Sequence, residues 1–193
     1  PRYAAANMHA QTQKAGKLYV VATPIGNLQD MSPRAVEVLS SVSLIAAEDT
    51  RHSKKLLAHF GVGTRLMALH DHNEKKLADS IVQQIEQGAD VALISDAGTP
   101  LISDPGYALV RAAHDAGVTV VPVPGPAAFT AALSVAGLPT DRFYFEGFLP
   151  AKQAARRQRL TTLLTMPVTL VFYESSHRIV ESLSDMAECF DSQ

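Results

Sequence analysis

The sequence predicts an α/β fold of two domains: an N-terminal, mostly parallel sheet flanked by helices, then a second, incomplete α/β domain. Three observations carry this. From Lys17 onward short apolar runs alternate with amphipathic segments, the strand–helix rhythm of a parallel sheet. Several of those runs are continuously apolar, as strands covered by helices on both faces are. The stretch PVPGPAAF at 122–129 then packs three prolines and a glycine into one loop, after which only two further strands can be found.

In chain order, the strand candidates of the first domain are KLYVVAT (17–23), SLIAA (43–47), RLMAL (65–69), DVALIS (90–95) and VTVVP (118–122). Between them, Ser32 followed by Pro33 reads as the cap and first residue of a helix ending near Ser41. Thr50 can cap a helix that ends before Gly61. A third helix, 73–87, stops at Gly88, and a fourth, 107–116, stops at Gly117. Ser103 or Asp104, just ahead of Pro105, suits the start of that fourth helix. The second domain reads as a small-residue helix (127–136), FYFEGF (143–148), a basic helix (152–165), VTLVFY (168–173) and a last helix (176–190). Two strands cannot close a core by themselves, so this domain is expected to be partial. The expected divisions are residues 1–14 as a tail outside the fold, with Met8 a candidate native start, then 15–124 and 125–193.

Composition bounds the function. With 193 residues, 47% apolar, the chain can bury one full core and part of a second. A formal charge of −2 excludes a strongly basic coat, so any nucleic-acid contact must come from local patches. The single cysteine, Cys189, makes no internal disulfide, which points to a reducing, cytoplasmic setting. No run of eighteen apolar residues indicates a membrane span.

Ligands of open α/β sheets bind beyond the carboxyl ends of the strands. The five strands lead, in chain order, into Pro24-Ile25-Gly26-Asn27-Leu28, Glu48-Asp49-Thr50-Arg51-His52, His70-Asp71-His72-Asn73-Glu74, the stretch 96–106, and Pro124-Gly125-Pro126. Any one of these could be a plain turn. Five polar loops on one edge read as a site. The fourth lies in LISDAGTPLISDPG (93–106), where Leu-Ile-Ser-Asp is written twice: Ser95-Asp96 would place a carboxylate in a crevice beside Gly98, where a backbone can approach a ligand closely. There is no G-x-G-x-x-G after the first strand, no Walker A loop and no G-x-S-x-G elbow. His70 and His72 lack further ligands at metal-binding spacing, so no metal is expected.

TPIGNLQD, AAEDTRHSKKLL, LHDHNE, SDAGTPLISDPG, VPVPGPAA, FEGFLPAK and FYESSHR, in this order, closely resemble the class III, tetrapyrrole-methylase-like methyltransferases, over about 17–190. The resemblance is nearest to the branch that modifies the ribose 2′-hydroxyl of a decoding-centre cytidine in 16S rRNA of the small ribosomal subunit. It implies S-adenosylmethionine as cofactor, folded into a cleft between two α/β domains, and a homodimer. Carried onto this chain, it implies that Pro24 and Gly26, the loop from Asp96 through Ala97, Gly98, Thr99, Pro100 and Ile102 to Ser103, then Pro126, Ala127, Phe172 and Tyr173, line the cofactor site.

Methyl transfer to a hydroxyl is an in-line displacement at carbon that needs collinear oxygen, methyl and sulfur, plus a group to take the hydroxyl proton or stabilise the oxyanion. The candidates are Glu48, Asp49, His70, Asp71 and His72, with Asp49, His70 and Glu48 put forward as catalytic and Arg51 as a phosphate or oxyanion contact. Two basic groups suit RNA phosphates: Arg51, Lys54 and Lys55 on one helix, and Lys152, Arg156, Arg157 and Arg159 on another. Each could equally be a solvated helix face. The rival readings are a tetrapyrrole or modified-histidine acceptor within the same family, a non-catalytic cofactor- or RNA-binding fragment, and a nicotinamide dehydrogenase.

Overall fold

The computed structural model describes residues 14–190. The expected tail lies outside them except for Lys14. The chain forms two compact units, one ending at Gly125 and one beginning at Pro126; the division falls one residue later than the sequence predicts.

The first unit runs β1 (Lys17–Val21), α1 (Pro33–Ser41), β2 (Leu44–Ala47), α2 (Thr50–His59), β3 (Leu66–Ala68), α3 (Glu74–Glu86), β4 (Val91–Ile94), α4 (Tyr107–Asp115) and β5 (Thr119–Val123). All strand pairs are parallel, in the order β3-β2-β4-β1-β5. Successive connections step first one way across the sheet, through α1 and α2, then the other way, through α3 and α4. Right-handed crossovers therefore put the two helix pairs on opposite faces. The core divides accordingly. Leu39 of α1 and Leu57 of α2 pack with Ile45, Ala92 and Ile94, whereas Ile81 and Ile85 of α3 and Leu109 of α4 pack with Leu44, Val91 and Leu93. Alternate residues of β4 thus face opposite layers, which is why its sequence is apolar throughout.

Two helix caps differ from expectation. Asp49, not Thr50, caps α2, its carboxylate accepting the Arg51 N–H at 2.8 Å. A carboxylate one residue earlier reaches the free amide and adds charge complementary to the helix dipole. Neither Ser103 nor Asp104 caps α4. Its cap position is Gly106, whose N–H is accepted at 2.7 Å by the carboxylate of Glu74, at the start of α3.

The second unit contains α5 (Ala128–Val135), β6 (Phe143–Phe148), α6 (Gln153–Leu163), β7 (Thr169–Tyr173) and α7 (Ile179–Phe190). Its two strands pair in parallel, with a register shift between Phe145 and Gly147. Leu149, Leu160 and Leu163 are buried, and Phe145 stacks between Phe129 and Tyr173 at centroid distances of 5.2 and 4.8 Å.

Candidate functional site at the carboxyl edge of the sheet

The loop after β4 leaves toward one face of the sheet while those after its neighbours β1 and β2 leave toward the other. That divergence opens a crevice at the carboxyl edge. Thr23, following β1, and Gly98, following β4, tie its two sides by exchanging backbone hydrogen bonds of 2.9 and 3.0 Å. The buried Thr23 hydroxyl also donates to the Ser95 carbonyl at 3.3 Å. From the third side, the Asp49 N–H donates to Asp96 Oδ1 at 3.1 Å. Backbone and side-chain bonds therefore set the loops after β1, β2 and β4 against one another.

The stretch 95–106 is unusually curled. Gly98, Leu101, Ser103 and Gly106 all have left-handed φ angles, of 85°, 71°, 63° and 124°. For Leu101 and Ser103 such a conformation costs about 1–3 kcal/mol each, and strain of this kind concentrates where a loop must present a particular surface. Gly106 is required twice over, since a Cβ there would lie 2.6 Å from Leu93 Cδ2. The two Ser-Asp pairs come together inside the curl: the Ser95 hydroxyl lies 3.5 and 3.4 Å from the carbonyls of Ala97 and Gly98, and Asp104 of the second pair lies within electrostatic reach of Asp96 of the first.

Glu48, Asp71, Asp96 and Asp104 form a negative corner beside this loop. Burial pushes the Glu48 carboxyl above its ordinary range, and the charges of Asp96, Asp104 and Asp71 add to that. Burial likewise raises Asp104, with Asp96 and Asp71 contributing and the Ser95 hydrogen bond opposing. Asp49 goes the other way. Hydrogen bonds from the Arg51 side chain and backbone hold it below the carboxylate range, and the guanidinium lies 3.2 Å from Asp49 Oδ2. In the loop after β3, Asn73 Oδ1 accepts the His70 N–H at 2.9 Å and Asn73 Nδ2 donates to the Ala68 carbonyl at 3.1 Å. His70 and His72 approach edge to face at 5.9 Å, and the buried His70 Nδ1 has no hydrogen-bond partner. Among the described residues, no three His, Cys, Asp or Glu side chains are arranged to hold a metal ion.

A cavity of about 460 Å³ opens between the loop after β1 and helix α2. Pro24, Gly26, Asp96 and Ala97, named from the sequence for cofactor, line it together with Lys55, named for RNA. Leu28 and His52, which end two of the five polar loops, line it as well, together with Leu56 and His59, which did not stand out in the sequence. Their spacing of three and four residues along α2 puts 52, 55, 56 and 59 on one helix face, which was the available signal. Thr99 and Ile102 are half-buried and Pro100 is buried within the curl, whereas Ser103 is exposed. Pro126, Ala127, Phe172 and Tyr173 belong to the second unit, where Tyr173 Oη accepts the Phe129 N–H at 3.3 Å.

The basic residues divide sharply. Arg51, Lys54, Lys55 and Lys152 are exposed. Arg156 is a correction: only 1% exposed, it donates to Asp185 Oδ2 at 2.6 Å and to the Ala151 carbonyl at 3.2 Å, so it is an internal ion-pair residue and not a solvated phosphate contact. Arg157 bonds Asp185 and Glu188 at 2.7 and 2.6 Å, and Arg159 grips Glu146 through two bonds of 2.5 and 2.6 Å. A run that reads as a positive patch is largely neutralised by carboxylates distant in sequence.

The model of the tetrapyrrole (corrin/porphyrin) methylases matches residues 17–193. Among curated proteins, the chain is 62% identical over 177 residues to ribosomal RNA small subunit methyltransferase I of Xylella fastidiosa, covering 92% of this chain and 65% of that protein. It is 60% identical over 179 residues to the protein of the same name from Pseudomonas aeruginosa, covering 93% and 64%. The chain therefore spans a little under two thirds of these relatives' length. Among solved structures, uroporphyrin-III-C-methyltransferase from Thermus thermophilus superposes with a TM-score of 0.60 at 20% identity, covering 92% of this chain and 74% of that one. A conserved hypothetical protein from Aeropyrum pernix superposes at 0.63 with 18% identity, covering 91% and 68%. These two share the fold: a mixed α/β structure whose parallel sheet is flanked by helices, with the second domain here partial. By sequence motif, fold and family model alike, the chain belongs to the tetrapyrrole (corrin/porphyrin) methylases.

Proposed function

We propose that this chain is the cofactor-binding and catalytic part of an S-adenosylmethionine-dependent methyltransferase that acts on the ribose 2′-hydroxyl of a decoding-centre cytidine in 16S rRNA. The observation that carries the reading is the 62% identity to a relative named for ribosomal RNA, against 20% to one named for a porphyrin. A small-subunit substrate, a homodimer and a cytoplasmic setting belong to the same reading. Among the described residues, no helix is long and apolar enough to cross a membrane.

The residues suit this cofactor. Its sulfonium and ammonium are cationic, and the corner of Glu48, Asp71, Asp96 and Asp104 holds carboxylates whose mutual repulsion a cation would relieve. The curled 97–103 loop offers backbone groups where a glycine-rich phosphate cradle would be out of place. When bound, the cofactor supplies an electrophilic methyl group on a cationic sulfur.

The chain's own work is to orient the hydroxyl and accept its proton. A proton acceptor works best when its pKa lies near the operating pH. By that criterion Glu48, raised by burial, is better placed than Asp49, which Arg51 holds down. His70, with its buried and unpartnered Nδ1, remains the alternative acceptor. Titration calorimetry with S-adenosylmethionine, alongside transfer of labelled methyl to small ribosomal subunits, tests the reading. Cofactor binding that Gly98→Val abolishes in a folded protein, with methyl appearing in RNA, is the expected result. A folded chain that takes no cofactor, or methylates a tetrapyrrole and not RNA, would overturn it.

A further inference from the structure

The cavity beside α2 has walls of two kinds. Pro24, Leu28 and Leu56 form an apolar side, and Leu28 is 43% exposed at its edge. His52, Lys55 and His59 form a basic side on one face of α2, and Lys55 takes part in no ion pair among the described residues. Asp96 and Ala97 complete the lining, and Asp96 is also a member of the negative corner. A volume of 460 Å³ lies within the range of pockets that take one small organic ligand, roughly 300–1,000 Å³.

Charge then sorts the reactants. A cationic cofactor is attracted to the carboxylates and repelled by Lys55, and a phosphodiester is drawn the opposite way. An apolar wall facing a basic one fits a nucleotide, whose sugar or base can lie on Pro24 and Leu28 while its phosphate meets the ammonium. Building on the proposed RNA methylation, we infer that this cavity is the acceptor pocket, holding one nucleotide of a single RNA strand with Lys55, flanked by His52 and His59, on its phosphate. Asp96 then stands where the two reactants meet. This makes the basic face of α2 a specific phosphate site, distinct from a general positive surface, and assigns substrate contacts to Leu28, His52 and His59.

The test uses this chain, a short single-stranded RNA oligonucleotide followed by fluorescence anisotropy, and S-adenosylmethionine followed by calorimetry. All three basic residues are exposed, so substitutions there should leave the fold intact, which circular dichroism checks. Lys55→Glu should weaken RNA binding by about tenfold or more and lower the salt slope by about one phosphate contact. Its cofactor affinity should hold or rise, since a repelling charge is removed, Lys55→Arg should retain RNA binding, and Lys54→Glu, outside the cavity, should lose much less. Equal losses from Lys54→Glu and Lys55→Glu would reduce the pocket to a diffuse field and overturn the inference while leaving an RNA substrate in place. Loss of cofactor binding with RNA binding intact would assign the cavity to the cofactor and overturn it as well. A wild-type chain that binds cofactor but no RNA would overturn both the inference and the RNA reading beneath it.

Discussion

Replacing Glu74 with alanine isolates what fixes the end of the 95–106 loop. Glu74 is 9% exposed, and its carboxylate accepts the N–H of Gly106, itself buried, at 2.7 Å at the first turn of α4. A hydrogen bond to a charged group contributes about 1.5–3 kcal/mol, and the typical interaction of a carboxylate with a helix N-terminus adds about 0.3–1 kcal/mol. No side chain caps α4 locally, so nothing nearby replaces the lost acceptor. Glu74→Ala should therefore cost about 2–4 kcal/mol, while Glu74→Gln, which keeps an acceptor oxygen and loses only the charge, should cost about half of that. Urea unfolding followed by circular dichroism reads the difference. With a slope of roughly 2 kcal/mol per molar, the midpoint of the Glu74→Ala protein should fall by about 1–2 M. Cofactor affinity should fall with it, because the curl is held at its far end by this bond. An alanine variant within about 0.5 kcal/mol of wild type would show that Gly106 finds another acceptor and that the capping account is wrong.

Three further outcomes rest on the same geometry. Glu48 is raised in the fold, so its contribution is fully present below its unfolded pKa and is lost as pH rises through the folded value; Glu48→Gln should stabilise the free protein at pH 7 yet weaken S-adenosylmethionine, which paired melting and calorimetry would reveal. Burial alone would raise Asp185, but hydrogen bonds from Arg157, Arg156 and Gln153 hold it down to about 2. Its stabilisation is present above the ordinary aspartate value of about 3.9 and lost as pH falls toward 2; Asp185→Asn should flatten the melting temperature across that window. Gly106→Ala meets both a left-handed φ and Leu93, and should cost more than about 1 kcal/mol in the same urea assay.

Local chemistry made most of the first unit readable. Continuous apolar runs marked β2 and β4, Ser32-Pro33 marked the start of α1, and Gly88 and Gly117, both with positive φ, came just after the ends of α3 and α4. What escaped the sequence depended on partners far along the chain. The cap of α4 comes from Glu74, on a different helix, and no local pattern announces it. The basic run in α6 gave no sign that Asp185, on α7, would bury Arg156. At the site, the clustering of polar loops on one edge was legible because parallel strands put their carboxyl ends on the same edge. The cavity face on α2 was not, because His52 and His59 become informative only with the loop carrying Pro24 and Leu28 set opposite them.

The strand order also sets a timetable for biosynthesis. β1 leaves the ribosome first, yet Leu18 takes its neighbours from Val91 on one side and Val120 on the other. Until β4 has emerged the first strand has no partner on either flank, and the nascent chain carries an apolar segment that only later synthesis can cover. Slowed translation between β1 and β5 should therefore prolong chaperone dependence of the first unit, while slowing only after β5 has cleared the exit tunnel should add nothing for that unit, because its five-stranded sheet can by then close.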